Sequence, residues 1–180
     1  MSALWLWLCL VPLEQQPLLR VVYDVQITQG DKQISALMVL NQRDAQSLSI
    51  HCRKNTAGTL FTYWATAGRD TLYFPRESVA FVGDSGTDFE LFPNGPELSR
   101  AGWLRLLFEE SSEDLGPFSM TFEEEWRVLR SSREGWSIRW KERSRSTKKK
   151  YGSKVLTPTL KYGTRVRPIA EMQSWWETED

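Results

Sequence analysis

The chain has 180 residues, 23 Lys and Arg against 23 Asp and Glu, and a formal net charge of zero. That length fits one domain able to bury roughly 70 per cent of its unfolded surface. The cancelling charges exclude a global field that would draw it to nucleic acid. Two cysteines, Cys9 and Cys52, give neither a disulfide framework nor zinc spacing. Nine Trp, eight Phe and five Tyr make the chain aromatic-rich, which fits a large core or a greasy cavity.

Ser2 to Leu13 is almost entirely apolar. It is far short of the roughly 20 residues that span a bilayer. No Lys or Arg precedes it and no clean small-residue cleavage site follows. Two readings stay open: an eroded export signal, or an apolar segment docked on the domain. Residues 1–19 are therefore set apart from a domain over 20–176, with 177–180 as a tail.

From Arg20 onward, large apolar residues recur at alternate positions, the mark of strands with one packed face. Tyr23, Val25 and Ile27 share one side of a first strand, and Ile34, Ala36, Met38 and Leu40 one side of a second. Further strands are expected near 46–54 (Leu48, Ile50, Cys52), 59–66 (Leu60, Thr62, Trp64), 70–74 and 78–82. Turn-rich breaks such as Asn55–Gly58 and Ala67–Asp70 separate them. Asp84 to Gly95 reads as loop. Ser99 is a plausible N-cap for a helix from Arg100 to Glu110, where Trp103, Leu104, Leu106, Leu107 and Phe108 keep a helical period. Strands then resume: one alternating run through Phe122, Glu124, Trp126 and Val128, another through Trp136, Ile138 and Trp140. A basic, polar stretch from Lys141 to Lys150 precedes expected strands at 154–162 and 164–173. Ten or eleven strands with one helix make a β-dominant α+β fold.

Residues arranged for covalent chemistry do not emerge. The single histidine, His51, sits mid-strand without a nucleophile motif beside it. Glu123 and Glu125 would share a strand face, so a carboxylate pair is conceivable. A solvated, charged edge strand is the commoner use of such residues. The basic run Arg143–Lys150 suits either a solvated hairpin loop or contact with anionic lipid headgroups. It has no interleaved aromatics, which argues against nucleic acid. No metal or cofactor is expected.

Several runs in order resemble the LolA/LolB-like family of bacterial periplasmic lipoprotein carriers and outer-membrane receptors, nearer the LolB side. These are Leu48-Ser49-Ile50 with Ala57-Gly58 and Leu60 to Trp64, then Arg69 to Glu77 with Gly83, and Trp103 to Phe108. Gly135 to Trp140, Thr157 to Gly163 and Val166 to Trp175 complete the set. The resemblance implies a half-open antiparallel barrel whose apolar concave face is partly plugged by helix. It implies non-enzymatic binding of the acyl chains of lipids or lipid-modified proteins, in the periplasm or at the outer membrane, with a periplasmic carrier protein as a further partner. The candidate cavity residues, taken from the apolar strand and helix faces, are Ile50, Trp64, Leu72, Phe81, Trp103, Trp126, Trp136 and Trp140. Thr56, Ala57 and Gly58 fall at the family's protruding loop. Ala57 stands where LolB-type receptors carry an exposed leucine, and no lipid-attachment context surrounds Cys9. A related half-barrel forms the sensing domain of RseB-like envelope-stress regulators, which gives the alternative of a domain that binds a protein partner.

Overall fold

The computed structural model describes residues 17–44, 46–54, 58–92, 95–108, 115, 117–131, 135–148 and 153–178. Ser2–Leu13, Cys9, Thr56 and Ala57 lie outside them. Six strands follow one another as a meander: β1 (Leu18–Gln29), β2 (Lys32–Asp44), β3 (Ser47–Lys54), β4 (Gly58–Thr66), β5 (Arg69–Phe74) and β6 (Val79–Asp84). A two-strand pair, β7 (Phe89–Glu90) and β8 (Glu97–Leu98), precedes helix α1 (Arg100–Phe108). Strands β9 (Phe118–Glu123), β10 (Trp126–Ser131) and β11 (Trp136–Lys148) then return to the sheet. A 3-10 turn at Ser153–Leu156, strand β12 (Arg165–Pro168), a second 3-10 turn at Ile169–Glu171 and helix α2 (Met172–Thr178) complete the chain.

Ten strands form one sheet in the order β12-β6-β5-β4-β3-β2-β1-β11-β10-β9, and the sheet does not close on itself. The β-dominance expected from alternation is present. The sheet is mixed, however, because β12 runs parallel to β6. One face carries a continuous apolar core: Val21, Tyr23 and Val25 of β1, Ala36, Met38 and Leu40 of β2, Leu48, Ile50 and Cys52 of β3, then Phe61 and Tyr63, Leu72 and Phe74, and Phe81. Trp136, Ile138 and Trp140 of β11 and Leu129 of β10 extend it on the other flank.

Helix α1 lies on that face and contributes Trp103, Leu106 and Leu107 to the same core. Ser99 is its N-cap, its hydroxyl accepting the Gly102 N–H at 3.3 Å. The Trp103 indole N–H donates to the Phe89 carbonyl at 3.0 Å, tying α1 to the β7–β8 segment. At its first turn, Arg100 forms a buried ion pair with Asp70 of β5 and also donates to the Thr66 and Arg69 carbonyls at 3.1 and 3.3 Å. At its last turn, the Leu107 carbonyl accepts from Arg127 of β10 at 2.6 Å, which places a cation at the negative end of the helix.

Several expectations are corrected here. The run through Phe122 to Val128 is not one strand. Glu124 takes a positive φ of 56° and turns β9 into β10, so Phe122 and Trp126 do not continue one ladder. The basic run from Arg143 is not a hairpin loop as far as Lys148, because β11 continues to Lys148 as the partner of β1, with a bulge at Val22/Tyr23. The 84–95 loop contains β7. Residues 154–162 make no strand. Pro158 has no N–H to donate, and the segment lies over the outer face of β2–β4. The 164–173 strand stops at Pro168 and gives way to α2.

The Arg100–Asp70 pair lends itself to a stability test. Removing one member of a buried ion pair leaves the other charged and unpartnered, which costs about 3–5 kcal/mol. Asp70→Ala is expected to lower unfolding free energy by that order in urea titrations. A paired replacement, Asp70→Leu with Arg100→Met, is expected to recover most of the loss.

Candidate functional site: an apolar cavity at the hairpin end of the sheet

Antiparallel meanders put alternate connections at the same end. The β1–β2 hairpin, the β3–β4 connection and the β5–β6 turn therefore lie together, and so does the start of β11, since Gln29 pairs with Trp136. A cavity of about 210 Å³ opens on the core face at this end. Its aliphatic lining comes from Ile27, Ile34, Leu60 and Leu91, and its aromatic lining from Phe61, Phe74, Phe92, Trp136 and Trp175. Gln29 and Glu77 are the polar residues of the lining.

The walls are held by ring contacts. Phe61 meets Phe92 edge-on at 5.5 Å, and Phe74 packs on Trp175 at 4.9 Å. Phe118 of β9 meets the other side of Trp136 at 5.7 Å, edge-on. Gly95 lets its loop approach that indole: a Cβ there would lie 2.9 Å from the Phe92 carbonyl oxygen and 3.5 Å from the Trp136 ring. Gly83 has a similar role on β6. A Cβ at Gly83 would sit 2.3 Å from Ile169 Cγ2, so only glycine lets the chain leading into α2 seat against the sheet.

The sequence-derived residues divide unevenly around this cavity. Trp136 lines it. Ile50, Leu72, Phe81, Trp103 and Trp140 are buried in the core of the same face without reaching the cavity lining. Trp64 and Trp126 are on the opposite, outer face. Trp64 stacks on Tyr73 at 6.4 Å in a small cluster with Ala80, covered by Leu160. Trp126 has the Arg139 guanidinium 4.8 Å and the Lys141 ammonium 5.1 Å from its ring centre. The phase of β4 was misread: Phe61, Tyr63 and Ala65 face the core, while Thr62 and Trp64 face out. That strand is apolar on both faces, so alternation alone does not fix its side. Gly58, of the expected protruding loop, opens β4 at the same end as the cavity.

Sequence reasoning named only Trp136 of the lining; it missed the aromatic Phe61, Phe74, Phe92 and Trp175, the aliphatic Ile27, Ile34, Leu60 and Leu91, and the polar Gln29 and Glu77. For Trp175 no local signal existed, because the residue reaches the cavity only through α2 and the β12 crossover.

Glu123 pairs with Arg130 at 2.5 Å and Glu125 with Lys141 at 3.6 Å, so each acid is bound to a different cation. Among the described residues no group of three His, Cys, Asp or Glu could hold a metal ion. Cys52 is free and buried, and burial pushes its thiol up to about 12, which keeps it protonated and unreactive at neutral pH. Beside the Arg100–Asp70 pair, burial is the main cause that pushes the Tyr63 phenol above its ordinary range, with the Asp70 charge adding to it. No helix among the described residues is long and apolar enough to cross a membrane. No protein-family model matches the chain, and no curated protein matches it.

His51 faces outward on β3, edge-on to Trp64 at 6.0 Å, with its Nε2 buried and lacking a hydrogen-bond partner. Burial lowers its pKa, the Val155 backbone opposes this, and the Arg20 charge lowers it further. The folded protein therefore binds this proton less readily than the unfolded chain, so stability falls as pH drops through about 6.5. Urea midpoints of the wild type are expected to decline between neutral pH and about pH 5.5, with a shallower decline in His51→Gln.

Proposed function

We propose that this protein is a non-enzymatic binder of acyl chains, carried on lipids or lipid-modified proteins, and that it serves lipoprotein transport at the bacterial outer membrane. The observation that carries the reading is the apolar cavity at the hairpin end, walled by aromatic rings and rimmed by Gln29 and Glu77. Burial of an acyl chain gains about 0.8 kcal/mol per methylene, so such a cavity holds a tail without a charged anchor. At about 210 Å³ it is smaller than the roughly 300–1,000 Å³ of sites for drug-sized ligands, which favours one narrow chain over a bulky lipid.

A half-open barrel is part of the same proposal. The helix α1 grips β5 through Arg100 and β10 through its Leu107 carbonyl. In sheet order β5 and β10 are six steps apart. A helix anchored to two strands that far apart in the sheet order is the contact pattern expected of a sheet curled around it. The resemblance to LolA/LolB-like carriers points to the same architecture and to a periplasmic or outer-membrane location, with a periplasmic carrier as the donor of cargo. Release into a partner with an equally apolar site needs no chemical step.

Protein purified from a bacterial host is expected to carry co-eluting lipid by mass spectrometry and to take up a fluorescent fatty acid after delipidation. Leu60→Asp, which puts a charge into the cavity wall, is expected to weaken that uptake by about ten-fold or more. Clean apo protein with no uptake would reject the reading.

A further inference from the structure

We propose that Trp175 is the wall that sets how long an acyl chain the cavity accepts; the inference rests on the acyl-binding reading above. The other aromatic walls on strands, Phe61, Phe74 and Trp136, belong to β4, β5 and β11 and pair there with Cys52, Val79 and Gln29 in the ladders of the large sheet. Their backbones cannot shift without breaking inter-strand hydrogen bonds. Trp175 stands on α2, a seven-residue helix outside that sheet. It is 6 % exposed, and its indole packs on Phe74, which lines the cavity, at 4.9 Å and on Phe81, which does not, at 5.3 Å, in a cluster where Phe74 and Phe81 also meet edge-on at 6.1 Å. Trp175 thus joins the cavity lining to Phe81 of β6.

The way α2 is held supports a separable wall. The chain crosses from the outer face to the core face around the β12 edge of the sheet. Its Ser153–Leu156 turn covers β2–β4, β12 adds four parallel pairs to β6, and Pro168 ends that pairing. Ile169 then seats on Gly83, and Met172 and Trp175 turn inward. The indole is thus carried by a segment joined to the sheet through the β12–β6 pairing and the Ile169–Gly83 contact, and it packs on the core face against Phe74 and Phe81. Removing the indole would extend the cavity toward Phe81 and leave the sheet ladders untouched. The ligand that gains from such an extension is a longer unbranched saturated chain, whose added methylenes would be buried against Phe81.

The test uses the full chain, Trp175→Ala and Gly83→Ala, the last displacing Ile169 and with it α2 without altering a lining residue. Far-UV circular dichroism and urea midpoints establish that each variant folds. Titration calorimetry then follows a homologous series of straight-chain alkanoates from hexanoate to palmitate. In the wild type, affinity is expected to rise about four-fold per methylene and then reach a plateau. In Trp175→Ala the rise is expected to continue through at least two further methylenes, and Gly83→Ala is expected to move the plateau in the same direction. If Trp175→Ala does not fold, the Gly83→Ala plateau decides. Plateaus at the wild-type length in the folded variants would overturn this inference alone. Absence of binding across the whole series in every protein would overturn the acyl reading together with it.

Discussion

The buried Arg100–Asp70 pair fixes where the one long helix meets the sheet. A guanidinium and a carboxylate taken out of water cost several kcal/mol each, and only close pairing with further hydrogen bonds offsets that. Arg100 satisfies this by also donating to two carbonyls of the β4–β5 turn. Burial still raises the Asp70 pKa, with Arg100 opposing it. The pair anchors the first turn of α1 at the β4–β5 connection. From that point Trp103 reaches Phe89 and Phe92, and the far end of the helix reaches Arg127.

With α1 so placed, it fills the middle of the core face and leaves the hairpin end to smaller pieces. The β7–β8 segment supplies Leu91 and Phe92, and α2 supplies Trp175. These two short segments close the corner of the sheet where the cavity lies. Glycine at positions 83 and 95 is what lets both come close enough to make walls.

The outer face follows a different logic. Apolar contacts there are local: Trp64 with Tyr73 under Leu160, and Trp126 between Arg139 and Lys141. Such tryptophans look identical in sequence to those of the core. This is why a list drawn from apolar alternation combined residues from both faces.

The amino-acid sequence by itself determined the β-rich class, the meander of the first six strands, the inward sides of β1, β2, β3 and β5, and the start of α1 at its Ser99 cap. These depend on period-two alternation, turn residues and capping, all of which act between residues a few positions apart. Tertiary structure alone decided the side of β4, where both faces are apolar, and the turn at Glu124. It also decided the pairing of the basic 141–148 run with β1 and the crossover that carries Trp175 to the cavity. Each of these depends on contacts between residues far apart in the chain, where local propensity gives no preference and packing makes the choice.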